Sequence, residues 1–177
     1  MHADNWAQKA KSLGYRSRAV FKLIQIIEKI KQIRNPNLIL DIGAAPGGWS
    51  HYLVNRYPRA EIFAIDILEM EEVEGVKFIQ EDLRNIDQID QLSGFKNKFN
   101  LVISDLAPNL SGISSIDDEN ILELNLLTLE AAIKFLDSKG VFIVKTFQNS
   151  YLKKFRKEME KNLKIVQTAK PAASKKQ

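Results

Sequence analysis

The apolar positions of this chain follow two alternating rhythms. In "AVFKLIQIIEKIKQI" (19–33) they recur at spacings of three and four, so one face is buried, and this predicts a helix that "NPN" (35–37) ends. "LILDIG" (38–43) is a short, unbroken apolar run leading into glycine, which predicts a strand buried on both faces of a parallel sheet. "WSHYLVNRY" (49–57) predicts a helix stopped before Pro58. "AEIFAID" (60–66), "VKFIQED" (76–82), "FNLVISD" (99–105) and "VFIVKTF" (141–147) predict further strands. "NILELNLLTLEAAIKFL" (120–136) predicts a strongly amphipathic helix closed by "DSKG", and "SYLKKFRKEMEKN" (150–162) a basic one. "LKIVQTA" (163–169) is the candidate sixth strand.

Strands alternating with helices predict an α/β architecture, a Rossmann-like sandwich with a mostly parallel sheet flanked by helices. With 177 residues, 45% of them apolar, the chain suits one domain with a real core. Its expected parts are a basic helical segment at 1–34, a Rossmann-like core at 38–169 and a basic tail at 170–177. Sheets of this kind bind ligands beyond the carboxyl ends of the strands, where the strand order reverses. Asp41, Asp66, Asp82, Asp105 and Lys145 all fall at or near the end of a predicted strand.

Charge sharpens the picture. The net charge of +4 hides two basic ends on an acidic body. Residues 1–34 carry eight Lys and Arg against two acids, and residues 145–177 carry ten against two. The stretch between them carries eight against eighteen. Basic termini point to a polyanionic partner or, equally, to solvated helix faces. No apolar stretch approaches the ~20 residues that span a bilayer, and no signal-peptide core is present, so no membrane partner and a cytoplasmic location are expected. The absence of cysteine rules out disulfides and thiolate metal sites; a monomer without metal is expected.

The segment "DIGAAPGGWS" (41–50) carries the sharpest chemistry. It lacks the G-x-G-x-x-G fingerprint of dinucleotide sites, and Pro46 removes a backbone N–H that a pyrophosphate would use, so a nicotinamide or flavin oxidoreductase is disfavoured. Gly43, Ala44, Ala45, Gly47 and Gly48 leave room for a flat, mostly uncharged ligand end, or they form no more than a tight turn. Asp66 lies near the ~20-residue spacing at which an acid meets ribose hydroxyls. A nucleoside without phosphate but with a cationic group suits this acidic segment, and S-adenosylmethionine fits that description. Asp82 either reaches an adenine amino group or caps the next helix.

Four segments in order, "GYRSRAVFKL" (14–23), "DIGAAPGGWS" (41–50), "SDLAPNLSG" (104–112) and "VFIVKTFQ" (141–148), resemble the FtsJ/RrmJ family of S-adenosylmethionine-dependent RNA ribose 2′-O-methyltransferases. The resemblance runs from about residue 6 to the end. It implies that Gly47, Trp49, Asp66, Asp82 and Asp105 contact S-adenosyl-L-methionine, with Gly43 in the same turn. It implies a catalytic set of Lys22, Asp105 and Lys145 with a Glu. It further implies a uridine in 23S ribosomal RNA of the large ribosomal subunit as the substrate; transfer RNA is the alternative, and an RNA-binding assembly factor without turnover is a second. The family's Glu sits on a strand between the fifth and sixth, and no acid follows Glu160 here, which implies reduced but nonzero transfer.

A ribose hydroxyl is a poor nucleophile, so the site must align it and remove its proton. Lys145 is the candidate base. A free lysine titrates near ~10.4, and a shift of about 3 units is needed for neutrality at pH 7, which burial and the second cation Lys22 can supply. Asp105 pulls the other way, favouring charged lysines, while it orients Lys145 and attracts the sulfonium. Arg16, Arg18, Lys153, Lys154, Arg156 and Lys157 are the expected RNA phosphate contacts. Tyr15 and Phe21 are candidates for stacking on a base, Phe21 being better suited to the core.

Overall fold

The apolar runs become strands because each can bury both of its faces only inside a covered parallel sheet. The computed structural model describes residues 2–174, with side chains from Trp6 onward, so His2, Lys175 and Lys176 lie outside the described side chains. β1 (Leu38–Ile42), β2 (Glu61–Asp66), β3 (Val76–Gln80), β4 (Phe99–Ser104) and β5 (Leu136–Val144) pair in the order β3-β2-β1-β4-β5. Every ladder is parallel. The order reverses between β1 and β4, so a crevice opens where those two strands end.

Alternation along β1 assigns its two faces. Ile39 joins Leu101, Ile103 and Ile143 under α2 (Val20–Ile27) and α3 (Gly48–Arg56), in a core with Val20, Leu23, Trp49 and Leu53. Leu40 and Ile42 face the opposite way, with Phe63, Phe99, Val102 and Phe135. That second core is closed by a 3-10 turn (Leu83–Gln88), α4 (Asp90–Ser93) and α5 (Ser114–Phe135). Each such fully buried side chain stabilises the fold by roughly 1.5–3 kcal/mol. α1 (His2–Ser12) docks through Trp6, whose ring lies 5.0 Å from that of Phe21. Phe21 is thereby a core residue, 6% exposed, and Tyr15 stacks edge-on against it. α6 (Leu152–Asn162) packs on α5 through Phe155, which is buried with Leu122 and Leu129. No helix among the described residues is long and apolar enough to cross a membrane.

Three expectations are corrected. α2 ends at Ile27, not Ile33. The helical spacing persists beyond it because Ile33 is buried too, but the chain there must turn into β1, and the Tyr57 hydroxyl donates to the Ile33 carbonyl. α5 begins at Ser114 and β5 follows it directly at Leu136, so "DSKG" does not separate them. Those residues bulge out of the β4–β5 ladder between the pairs Phe99–Leu136 and Leu101–Val141, with Asn100 donating to Asp137. Finally, 163–169 is not a strand. Among the described residues nothing pairs with the outer edge of β5, and a strand without a ladder leaves its backbone groups unsatisfied. The Arg156 guanidinium instead holds this stretch, donating to the Val166 carbonyl and to Thr168 Oγ1.

Candidate active site

β1 delivers the chain into the glycine turn, and the turn is built by its neighbours. Gly43 has φ +74° and donates its N–H to the Ile65 carbonyl of β2. A Cβ there would lie 2.7 Å from Leu106, the residue after Asp105. At Gly47, φ +93°, it would meet the Arg16 guanidinium at 2.9 Å, and at Gly48 it would press on Ser17 at 3.1 Å. On the side where a Cβ would stand, these three glycines therefore make room for protein atoms, while Gly43 and Gly48 also line the neighbouring cleft. Gly43→Ala is expected to cost about 1–2 kcal/mol through the left-handed backbone alone, before the Leu106 contact is counted. Thermal denaturation checks this, and an unchanged midpoint would show that the turn relaxes freely.

Arg16 acts as a strut. It donates to the carbonyls of Pro46 (3.2 Å), Glu71 (2.7 Å) and Glu72 (2.7 Å), tying the turn to the segment after β2. Its fork is thus spent on the protein's own backbone, and Arg156 is likewise engaged with Glu160 and the 163–169 stretch. These two of the six expected phosphate contacts are structural in this arrangement. Lys153, Lys154 and Lys157 remain exposed along α6, and Arg18 lies half-buried just ahead of α2.

The acids at the strand ends have different surroundings. Asp66 braces the turn: one oxygen accepts from Ala45 N–H and the other from Leu68 N–H, both at 2.9 Å. Asp82 caps the 3-10 turn by accepting from Arg84 N–H and pairs with the Arg84 guanidinium, so the capping alternative is the one the geometry shows. Asp41 is fully buried beneath the turn, where Ser50 of α3 donates to its Oδ2 at 2.6 Å. Burial pushes its carboxyl up to about 7, against the Ser50 hydrogen bond, and the charges of Asp105 and Asp66 add to the push. Its spacing from Ser50 marked a strand–turn–helix but gave no hint of an acid whose proton burial holds so strongly.

Asp105 and Lys145 meet at the switch point. Lys145 follows the last β4–β5 pair, its N–H donating to the Ser104 carbonyl. Its Nζ lies 2.6 Å from Asp105 Oδ1 and donates to the Asp105 carbonyl at 2.9 Å, so residues 40 apart form one unit. Lys22 is half-buried on α2, whose approach through Ser17 and Ala19 lines the same cleft. The cleft walls are Ser17, Ala19, Gly43, Ala44, Ala45, Pro46, Gly48, Trp49 and Asp105. Trp49 has its ring in the α2–α3 core and its Nε1 buried without a hydrogen-bond partner among the described residues.

Comparison with known proteins agrees with the fold. The family model described as FtsJ-like methyltransferase matches residues 15–177. Ribosomal RNA large subunit methyltransferase E of Dechloromonas aromatica is 40% identical over 175 residues, covering 97% of this chain and 85% of the relative. Its counterpart in Alcanivorax borkumensis is 41% identical over 176 residues, covering 97% and 84%. A crystal structure described as a ribosomal RNA methyltransferase from Plasmodium falciparum superposes with a TM-score of 0.79 at 28% identity, covering 88% of this chain and 91% of that one.

Proposed function

Because this chain belongs to the FtsJ-like methyltransferase family, we propose that it moves a methyl group from S-adenosylmethionine to a ribose 2′-hydroxyl, that of a uridine, in 23S ribosomal RNA of the large subunit. The 177 residues act as one domain. The observation that carries this is the Lys145–Asp105 unit, which stands at the strand-order switch beside a small-residue cleft.

The residues present fit that donor. Asp41, Asp66 and Asp105 stand at or next to the carboxyl ends of three neighbouring strands. A cleft whose lining holds one acid, Asp105, and no Lys or Arg among the described residues favours a cationic ligand over a pyrophosphate. Asp66 keeps a lone pair on each oxygen for a ribose hydroxyl after bracing the turn. When bound, S-adenosylmethionine supplies an electrophilic methyl on a sulfonium. The protein's own work is then to orient the acceptor hydroxyl and take its proton at Lys145 Nζ, while Asp105 holds the amine at a fixed bearing. Lys22 stands on the helix that enters the cleft and supplies the second cation of the site.

RNA is held through phosphates by Lys153, Lys154 and Lys157 with Arg18, and these contacts position the strand without reading its sequence. Changing the three α6 lysines to alanine is expected to flatten the dependence of log affinity on log salt by about 2–3 units, at roughly 0.7–0.9 per lost phosphate contact. An unchanged slope removes α6 from the RNA interface.

The decisive experiment is transfer of a labelled methyl group to large ribosomal subunits from cells lacking this modification, followed by mapping of the modified ribose. Label in transfer RNA alone would move the assignment to that substrate. Binding without label would identify an assembly factor.

A further inference from the structure

Lys145 stands outside the sheet that delivers it. Val144 is the last residue of β5 with a ladder partner, and the Lys145 N–H bond to Ser104 is the final tie to β4. Residues 146–149 then run without regular structure to the start of α6. A long amine side chain on such a segment keeps a fixed bearing only if something else holds the backbone, and a displacement of about 1 Å is enough to cost on the order of 100-fold in rate.

The holding groups come from α5. Asn125, 6% exposed on that helix, donates from Nδ2 to Thr146 Oγ1 at 2.7 Å. Asp118 accepts from Ser150 Oγ at 2.8 Å and from Ser150 N–H at 3.3 Å. Glu119 accepts from the Tyr151 hydroxyl at 3.4 Å. The segment is therefore fixed next to Lys145 and again at its far end. The neighbouring Asp117 grips the other loop of the site, the one that starts at Asp105: it accepts from Ser111 N–H (2.7 Å), Ser111 Oγ (2.8 Å) and Gly112 N–H (3.0 Å). Consecutive residues at the start of one rigid helix thus fasten both chain exits that carry the Lys145–Asp105 unit. Helix capping does not account for Asp118, whose partner lies 32 residues away on a different connection.

We propose that Asp118 and Asn125 are positioning residues for methyl transfer: they pin the segment 145–151 to α5 and so hold the Lys145 amine against Asp105. This rests on Lys145 serving as the base. Neither residue lines the donor cleft, so their effect falls on the reaction step and not on donor uptake.

The test uses the full chain with Asp118→Ala, Asp118→Asn, Asn125→Ala and Thr146→Val. Single-turnover methyl transfer is expected to slow about 10-fold or more in Asp118→Ala, Asn125→Ala and Thr146→Val. The donor Kd should stay within about twofold of wild type. Asp118→Asn keeps an oxygen for Ser150 and is expected to retain most of the rate, a rescue that a charge effect would not give. A second readout needs no turnover: competitive acetylation of the Lys145 amine, followed by mass spectrometry, should rise in the three slow variants as the amine leaves Asp105. Unchanged rates and unchanged labelling overturn the proposal. So does a rate loss matched by an equal loss of donor affinity and thermal stability, which would make these residues supports of the fold. If the wild type transfers nothing to ribosomal subunits while the labelling responds as described, the methyltransferase assignment fails and the pinning stands.

Discussion

Lys145→Ala is expected to lower the rate of methyl transfer by about 100- to 10,000-fold, the range for loss of a positioned general base. That corresponds to roughly 3–5 kcal/mol of transition-state stabilisation. Donor affinity should change little, because Lys145 is not among the residues lining the cleft. Lys145→Arg separates two roles. It keeps a cation beside Asp105, but a guanidinium cannot give up its proton in a protein. If Lys145 takes the hydroxyl proton, the Arg variant is as inactive as the Ala variant. If the lysine serves only as a charge next to Asp105, the Arg variant works at a rate close to wild type, and the base assignment is lost. Single-turnover transfer at saturating donor, with donor binding measured separately, distinguishes the two.

Asp41 produces the largest expected pH effect. Its carboxyl, ordinarily near 3.8, is pushed up to about 7 in the fold, first by burial and then by the charges of Asp105 and Asp66. The folded state therefore binds a proton that the unfolded chain releases between those two values. Linkage fixes the sign: the stability belonging to neutral Asp41 is fully present below about 3.8 and is lost as pH rises through 7. A shift of this size corresponds to on the order of 4 kcal/mol in total, of which about 3 kcal/mol falls between pH 5 and pH 8. Asp41→Asn removes the ionisation and keeps an oxygen for the Ser50 hydroxyl. Denaturant unfolding at the two pH values should show the variant gaining on the wild type at pH 8 and not at pH 5. Parallel curves for the two proteins across that interval would mean that Asp41 titrates as an ordinary acid.

The chain's own pattern determined the strand cores, the glycine turn and the acids at the strand ends. An apolar run of five or six residues leading into glycine has only one economical use in an α/β layer, and burial is written locally in which residues are apolar. Asp41, Asp66, Asp105 and Lys145 could be placed near one edge of the sheet on that basis, and the resemblance carried by four motifs implied chemical roles for Asp66, Asp105 and Lys145.

Only the family resemblance anticipated the pairing of Asp105 with Lys145, and the remaining contacts of these groups were decided by the tertiary structure. Arg16 finds its carbonyls up to 56 residues away, Lys145 its acid 40 residues away, and Asp118 its serine 32 residues away. No spacing rule encodes such partners, because they depend on how two distant connections pack at the same end of the sheet. For the same reason the glycines proved to admit Leu106, Arg16 and Ser17. Strand propensity at 163–169 came to nothing for a related cause: a strand is a pairing, and propensity without a partner does not make one.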